Sequence, residues 1–168
     1  MDKRTQTQKL EELHEASYAW ALRCCYEDRE AAAEVLQNTY LKILEGNAKF
    51  KGDSSFKTWL FSIIRFTAID YFRAKKRKRN IAFDQQHEAI LEVDQIGGEN
   101  VAASIAFRTL LKQLSPKQQQ VLHLVFYQNC TIQEAAEIMQ IQLGTARTHY
   151  ERGKQQLKKQ LLKYEAFR

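Results

Sequence analysis

Between Phe50 and Arg79 the chain sets aromatic rings beside a polar turn and a run of cations. Phe56, Trp59, Leu60, Ile63, Ile64 and Thr67 follow Gly52-Asp53-Ser54 at helical spacing, and the stretch closes on Arg73, Lys75, Lys76, Arg77, Lys78 and Arg79. Cations track a phosphate backbone and ring faces stack on unpaired bases, so this mixture is suited to holding a single strand of nucleic acid. The same residue types have plainer uses. An aromatic stripe builds a core, with Trp59, Leu60 and Ile63 its expected members here, and a basic run serves as a solvated helix end or a targeting signal. Spacing alone leaves both readings open.

A second group with chemical capacity lies near the C-terminus. Thr145, Arg147, Thr148, His149, Glu151 and Arg152 fall on one side of a predicted helix. The arginine fork matches the acceptor pair of guanine in the major groove, and threonine contacts bases or phosphates. Other chemistries lack their residues. Cys24, Cys25 and Cys130 form no CxxC pair, and adjacent cysteines bridge only with strain, so reduced thiols are expected. His14, His87, His123 and His149 show no metal-ligand spacing with them. No nucleophilic triad, phosphate-cradling glycine loop or paired-carboxylate site is evident, so no cofactor is expected.

The elements that must position these groups read as helices. Residues 1–8 are polar and expected to fray, and 9–26 read as one helix with Leu10, Leu13, Tyr18, Trp20, Ala21 and Leu22 apolar. After a break at Glu27-Asp28-Arg29, residues 30–45 put Ala32, Val35, Leu36, Thr39, Tyr40, Ile43 and Leu44 on one side. Glu34, Gln37, Asn38, Leu41 and Lys42 lie on the other. Gly52 suits positive φ, and Asp53 or Ser54 is the expected cap of the long helix to Arg79. Residues 80–106 hold glycines, acids and scattered apolar residues without a sustained period, which makes them a linker with at most one short helix. A helix over 105–114 follows. Ser115-Pro116-Lys117-Gln118 forms a capping box opening a helix to Gln128, with Val121, Leu122, Val125 and Phe126 apolar. Thr131-Ile132-Gln133-Glu134 is a second box, for a short helix to Met139. Gln140-Ile141-Gln142 turns, and a last helix runs from Leu143 to Lys163 with Ala146, Tyr150, Gly153, Leu157 and Leu161 inward. A capped short helix, a tight turn and a basic helix make a helix-turn-helix pattern, with Ala135 and Ala136 small enough for a close crossing.

Charge divides the chain as the elements do. Residues 1–80 hold 16 Lys/Arg and 11 Asp/Glu, residues 81–107 hold none and 5, and residues 108–168 hold 10 and 4. Two basic blocks therefore flank an acidic connector, which suits two nucleic-acid-binding units joined by a segment that avoids DNA. No stretch is apolar enough to span a membrane, and the N-terminus lacks a signal-peptide core, so a cytoplasmic protein is expected.

Three stretches resemble the extracytoplasmic-function group of the sigma-70 family. Phe50 to Leu60 is similar to its promoter-melting segment. Glu34-Val35-Leu36-Gln37-Asn38-Thr39-Tyr40 is similar to its acidic–Leu–Val–Gln–Glu–Thr–Phe segment, with Ala31-Ala32-Ala33 where the family carries more acid. Leu143-Gly144-Thr145-Ala146-Arg147-Thr148 resembles its Val–Gly–Thr–Val–Lys–Ser signature, with Gln142 for a usual Pro and Gln140 for a common Gly. The resemblance implies an all-α fold of two small helical domains joined by a flexible acidic linker, the second containing the helix-turn-helix. Its bounds are 1–80, 81–106 and 107–168. It implies promoter recognition and strand opening with core RNA polymerase, and no enzymatic activity of its own. Contacts to the minus-ten element fall on Lys51, Gly52, Asp53, Ser54, Lys57, Arg65, Phe66, Arg73, Lys76 and Arg77. Phe66 stands where the family commonly has Asn. Contacts to the minus-thirty-five element fall on Lys117, Thr131, Gly144, Thr145, Arg147, Thr148, His149 and Arg152. Glu34, Gln37, Asn38 and Leu41 would meet the β′ clamp helices of polymerase, with the β flap a further partner and an anti-sigma protein a common one. Two other classes compete: a stand-alone helix-turn-helix regulator, for which no dimerisation heptad or ligand domain is visible, and a nucleic-acid-modifying enzyme, for which no metal cluster is visible.

Overall fold

The computed structural model describes residues 1–81 and 108–166, and every regular element among them is helical. The chain begins with a cap: the Asp2 carboxylate accepts a hydrogen bond from the Thr5 backbone N–H at 2.8 Å. That bond starts α1 (Lys3–Glu12), so the polar N-terminus expected to fray is helical. The single helix expected over 9–26 is two, because Leu13 leaves helical geometry (φ −97°, ψ 6°) before α2 (His14–Cys24). Apolar periodicity does not register such a break, since the stripe continues across it. Tyr26 and Glu27 then take φ of +55° and +65°, and the Asp28 carboxylate caps α3 (Arg29–Leu44) through the Ala31 N–H.

The long helix α4 (Phe56–Ile81) has 26 residues, about 39 Å at the usual rise. Gly52 has the expected positive φ of +85°. The cap, however, is Ser55, whose Oγ accepts from the Thr58 N–H at 3.1 Å; Asp53 and Ser54 do not perform it. Helices α2, α3 and α4 enclose the first core, where Trp20, Val35, Ile43, Leu60, Phe61 and Ile64 are fully buried. Trp20 satisfies its indole N–H on the Phe61 carbonyl at 3.0 Å, which removes the cost of burying it. Trp59 and Ile63 are only half-buried. Trp59 joins Phe50 and Phe56 in a cluster at the start of α4, with ring centroids 5.2–5.5 Å apart.

The second unit begins with helical residues 108–112, on whose C-terminal side Leu111 and Leu114 are buried. Of the linker expected over 80–106, residues 80 and 81 belong to α4; the rest, and the first residues of the expected 105–114 helix, lie outside the described residues. Both capping boxes form as expected, Ser115 with Gln118 and Thr131 with Glu134. They open α5 (Pro116–Leu122) and α6 (Ile132–Met139). The α-helix expected to reach Gln128 instead widens to a π-turn over His123–Tyr127. Phe126 and Tyr127 on that turn are more than half exposed. Helix α7 (Leu143–Ala166) crosses α5 at Gly153, where an added Cβ would stand 3.0 Å from Leu122 Cδ1. Ala146 and Gly153 are buried and Tyr150 and Leu157 half-buried, but Leu161, expected inward, is exposed, as is Leu44 of α3.

The two units pack together. Helix α4 lies against α6, and α2 against α5 and the π-turn. Arg23 Nη1 donates to Gln119 Oε1 at 2.9 Å, and Arg65 Nε donates to Gln120 Oε1 at 3.0 Å. Lys57 Nζ donates to the Gln128 carbonyl. Trp20 stacks on His123, centroids 5.7 Å apart, and His123 stacks in turn on Tyr127.

Candidate nucleic-acid interface

The helix-turn-helix is built by local chemistry. Thr131 and Glu134 close the start of α6, and its C-cap Gln140 takes a left-handed conformation, φ +52° and ψ +48°. That single inverted residue turns the chain sharply enough for α7 to start at Leu143. Buried Ala135, Ala136 and Ala146 let α6 and α7 approach closely. Gly144, Thr145, Arg147, Thr148 and Arg152 are all exposed on α7, and His149 is half-buried. Thr148 donates its hydroxyl to the Gly144 carbonyl at 3.0 Å. Burial, then the Lys117 and Arg152 charges, push His149 below its usual pKa. Neutral His149 therefore presents one donor and one acceptor beside two cations. Lys117, at the start of α5, is exposed. The Thr131 hydroxyl already accepts the Glu134 N–H, and its own backbone N–H is bound to the Glu134 carboxylate, so this residue is committed first to the cap.

On α4 the expected strand contacts separate into two sets. Lys51, Gly52 and Asp53 form an exposed turn with half-buried Ser54, and Arg73, Lys76 and Arg77 are exposed near the far end. Phe66 is 53 % exposed and takes no part in the core. Lys57 and Arg65 are half-buried instead, because they are the donors to Gln128 and Gln120 across the seam. Phe66 lines a cleft between α4 and α6 with Ser62, Arg65, Arg73, Met139 and Gln140. A neighbouring cleft brings Arg65, Arg73, Lys76 and Lys117 together with the rings of Tyr26 and Phe72, which meet edge to face at 5.4 Å. Sequence reasoning named these cations but not Tyr26 or Phe72. Tyr26 follows the end of another helix, in a turn where it and Glu27 both take positive φ.

On α3, Glu34, Gln37 and Leu41 are exposed and Asn38 is half-buried, opposite the buried stripe of Ala32, Val35, Leu36, Thr39 and Ile43. Leu41 and Gln37 border an apolar groove with Tyr18, Leu36, Tyr40 and Leu44. The three cysteines are free and buried. Burial raises the Cys24 thiol well above its usual range and pushes Cys25 up to about 12, so neither is a thiolate at neutral pH. Among the described residues no group of His, Cys, Asp and Glu could hold a metal ion, and no helix is long and apolar enough to cross a membrane.

Residues 10–78 match the family described as Sigma-70 region 2, and residues 104–157 match Sigma-70, region 4. The chain is 31 % identical to the RNA polymerase sigma factor YlaC of Bacillus subtilis (strain 168), over 80 % of this chain and 79 % of that one. It is also 31 % identical to the ECF RNA polymerase sigma factor SigX of the same organism, over 80 % and 72 %. The chain belongs to the extracytoplasmic-function sigma factors. The fold agrees: a sigma factor RpoE solved with the anti-sigma factor NepR from Bartonella quintana superposes with a TM-score of 0.76 at 22 % identity, covering 94 % of this chain and 97 % of that one. Region 2 of this sigma factor thus contains α2, α3 and α4, and region 4 contains the helix-turn-helix.

Proposed function

We propose that this sigma factor binds core RNA polymerase and directs promoter recognition, strand opening and initiation, with polymerase performing the chemistry. The observation that carries the reading is one chain holding two separate cationic faces, an aromatic-bearing α4 and an exposed α7. One is suited to an unpaired strand and the other to a major groove. The working division is residues 1–80 for polymerase and the minus-ten element, 81–106 as connector and 107–168 for the minus-thirty-five element. Lys51, Gly52, Asp53, Ser54, Lys57, Arg65, Phe66, Arg73, Lys76 and Arg77 would follow the strand. Lys117, Thr131, Gly144, Thr145, Arg147, Thr148, His149 and Arg152 would dock on the duplex. Exposed Glu34, Gln37 and Leu41, with Asn38 beside them, are offered to the β′ clamp helices, and region 4 to the β flap. The RpoE relative was solved with an anti-sigma factor, and CnrH, a second structure of the same fold (TM-score 0.62), with the cytosolic domain of CnrY. An anti-sigma partner is therefore proposed here too, and a cytoplasmic location follows from the site of transcription. In vitro transcription with purified core polymerase tests the reading: promoter-specific transcripts should require both proteins. Tight, specific promoter binding by the isolated chain, with no effect on core, would instead establish a stand-alone regulator.

A further inference from the structure

One cleft gathers cations without gathering acids. Arg65, Arg73 and Lys76 reach it from α4 and Lys117 from the first turn of α5, and no Asp or Glu among the described residues lines it. Arg65 donates to the neutral Gln120 side chain, and among the described residues none of the four cations has a carboxylate partner. Elsewhere cations do pair: Arg23 with Glu27, Lys42 with Asp70, Lys154 with Glu151. Like charges brought together repel, and an anion placed between them relieves the repulsion.

The same cleft carries rings. Tyr26 is 66 % exposed and meets Phe72 edge to face. Its φ of +55° is one that residues other than Gly rarely adopt, and the strained turn gains no core burial from this side chain. A ring left in the open beside cations offers its face to a flat partner. The space between rings and cations is about 350 Å³, the size of a small-ligand pocket.

We propose that this cleft binds a nucleoside triphosphate, its phosphates on Arg65, Arg73, Lys76 and Lys117 and its base against Tyr26 and Phe72. Arginine forks take phosphate oxygens in pairs, and lysine adds a point charge. A DNA strand offers the same two chemistries, but it spreads its charge at one phosphate per nucleotide. A triphosphate concentrates charge, as four converging cations do. Lys117 belongs to region 4 and the other three cations to region 2, so the packed chain holds the whole site. Binding goes beyond the sigma reading and needs no polymerase. Its consequence rests on that reading: the same four cations are proposed promoter contacts, so nucleotide and strand exclude each other.

Isothermal titration calorimetry of the full chain in EDTA tests the site, with ATP, tripolyphosphate and adenosine as separate titrants. ATP should bind more tightly than tripolyphosphate by about fivefold or more, although tripolyphosphate carries more charge, and adenosine alone should not bind. Tyr26→Ala should abolish that preference and leave the affinity for tripolyphosphate as it was. Lys76→Ala and Lys117→Ala should each weaken both phosphate ligands by about fivefold or more. Lys159→Ala removes an exposed cation of α7 outside the cleft and should weaken neither. Circular dichroism checks that every variant keeps its helices. In a second arm, ATP should displace a fluorescein-labelled single-stranded deoxyoligonucleotide that lacks terminal phosphates. If Lys117→Ala weakens strand binding while ATP does not bind at all, the cleft is part of the strand path and the proposal is overturned. ATP no tighter than tripolyphosphate, or an equal loss in Lys159→Ala, reduces the binding to unspecific charge and also overturns it. Transcription with core polymerase is scored separately, and its failure counts against the sigma reading whatever the calorimetry shows.

Discussion

Phe66 separates what a side chain offers from what its family commonly places there. It is 53 % exposed on α4, where an Asn could both donate and accept hydrogen bonds at a base edge. Phe can only stack, at about 1–3 kcal/mol per base and without choosing among bases. Selection from a randomised minus-ten library should therefore show relaxed preference at one position, and Phe66→Asn should sharpen it while leaving the melting temperature unchanged. A drop of several degrees with unaltered preference would place Phe66 in the packing instead. Arg147 poses the complementary case, an exposed fork on α7. Arg147→Ala should cost roughly 1–3 kcal/mol in promoter affinity where the minus-thirty-five element carries a guanine, and little elsewhere, as measured by holoenzyme binding. Neither residue's exposure was difficult to read from spacing. The commitment of Lys57 and Arg65 to glutamines 71 and 55 positions away was beyond it.

At the level of elements, what was legible was what is local. Both capping boxes span four residues and formed where expected, because each closes on its own backbone. The breaks at Leu13 and His123 were not legible. Each keeps the apolar stripe running while the backbone changes, so periodicity alone sees one helix. Gln140 lies between these cases. The sequence raised the question of a residue other than Gly at a tight turn, and its φ of +52° answers it. An L-residue there costs roughly 1 kcal/mol or more, partly offset by the unfolded-state entropy that Gly carries. Gln140→Gly should thus stabilise the protein by about 0.5–1 kcal/mol, seen as a rise of a few degrees in thermal melting. At Gly153 an added methyl would stand 3.0 Å from Leu122 Cδ1, in the crossing of α7 on α5, which opposes the gain of about 1 kcal/mol that Ala brings to a helix interior.

For the whole molecule, the two-part layout was visible in the division of charge, but the union of the parts was not. Net charge distinguishes blocks and says nothing of which faces meet. The union gives the protein a dependence on acidity. His123 is stacked between Trp20 of region 2 and Tyr127, hydrogen-bonds the Gln128 side chain at 3.2 Å, and has Arg23 nearby. Burial, and then the Arg23 charge, depress its pKa from 6.5 to about 3. The folded protein therefore binds fewer protons than the unfolded chain between those values. The contribution of neutral His123 is complete above pH 6.5 and is lost as pH falls toward 3, at up to roughly 1.4 kcal/mol per unit. Urea unfolding from pH 7.5 to 4.5 should reveal this slope, and His123→Gln should flatten it. An equal slope in the variant would assign the effect to other groups.

The charge distribution also dictates where the chain is cut. Residues 81–107 contain no Lys or Arg, so trypsin finds no site in the connector, although a connector is where a protease usually enters. The last turns of α4 are another matter. Past Phe72, which still packs against the core, Arg77, Lys78 and Arg79 are exposed in succession, so this end opens at low cost. Brief digestion should nick the chain there, and the two fragments should still travel as one particle in gel filtration, parting only when denaturant dissolves the bonds from Arg23, Lys57 and Arg65. A covalent break would thus leave the protein whole, its two halves held by packing and hydrogen bonds rather than by the chain that runs between them.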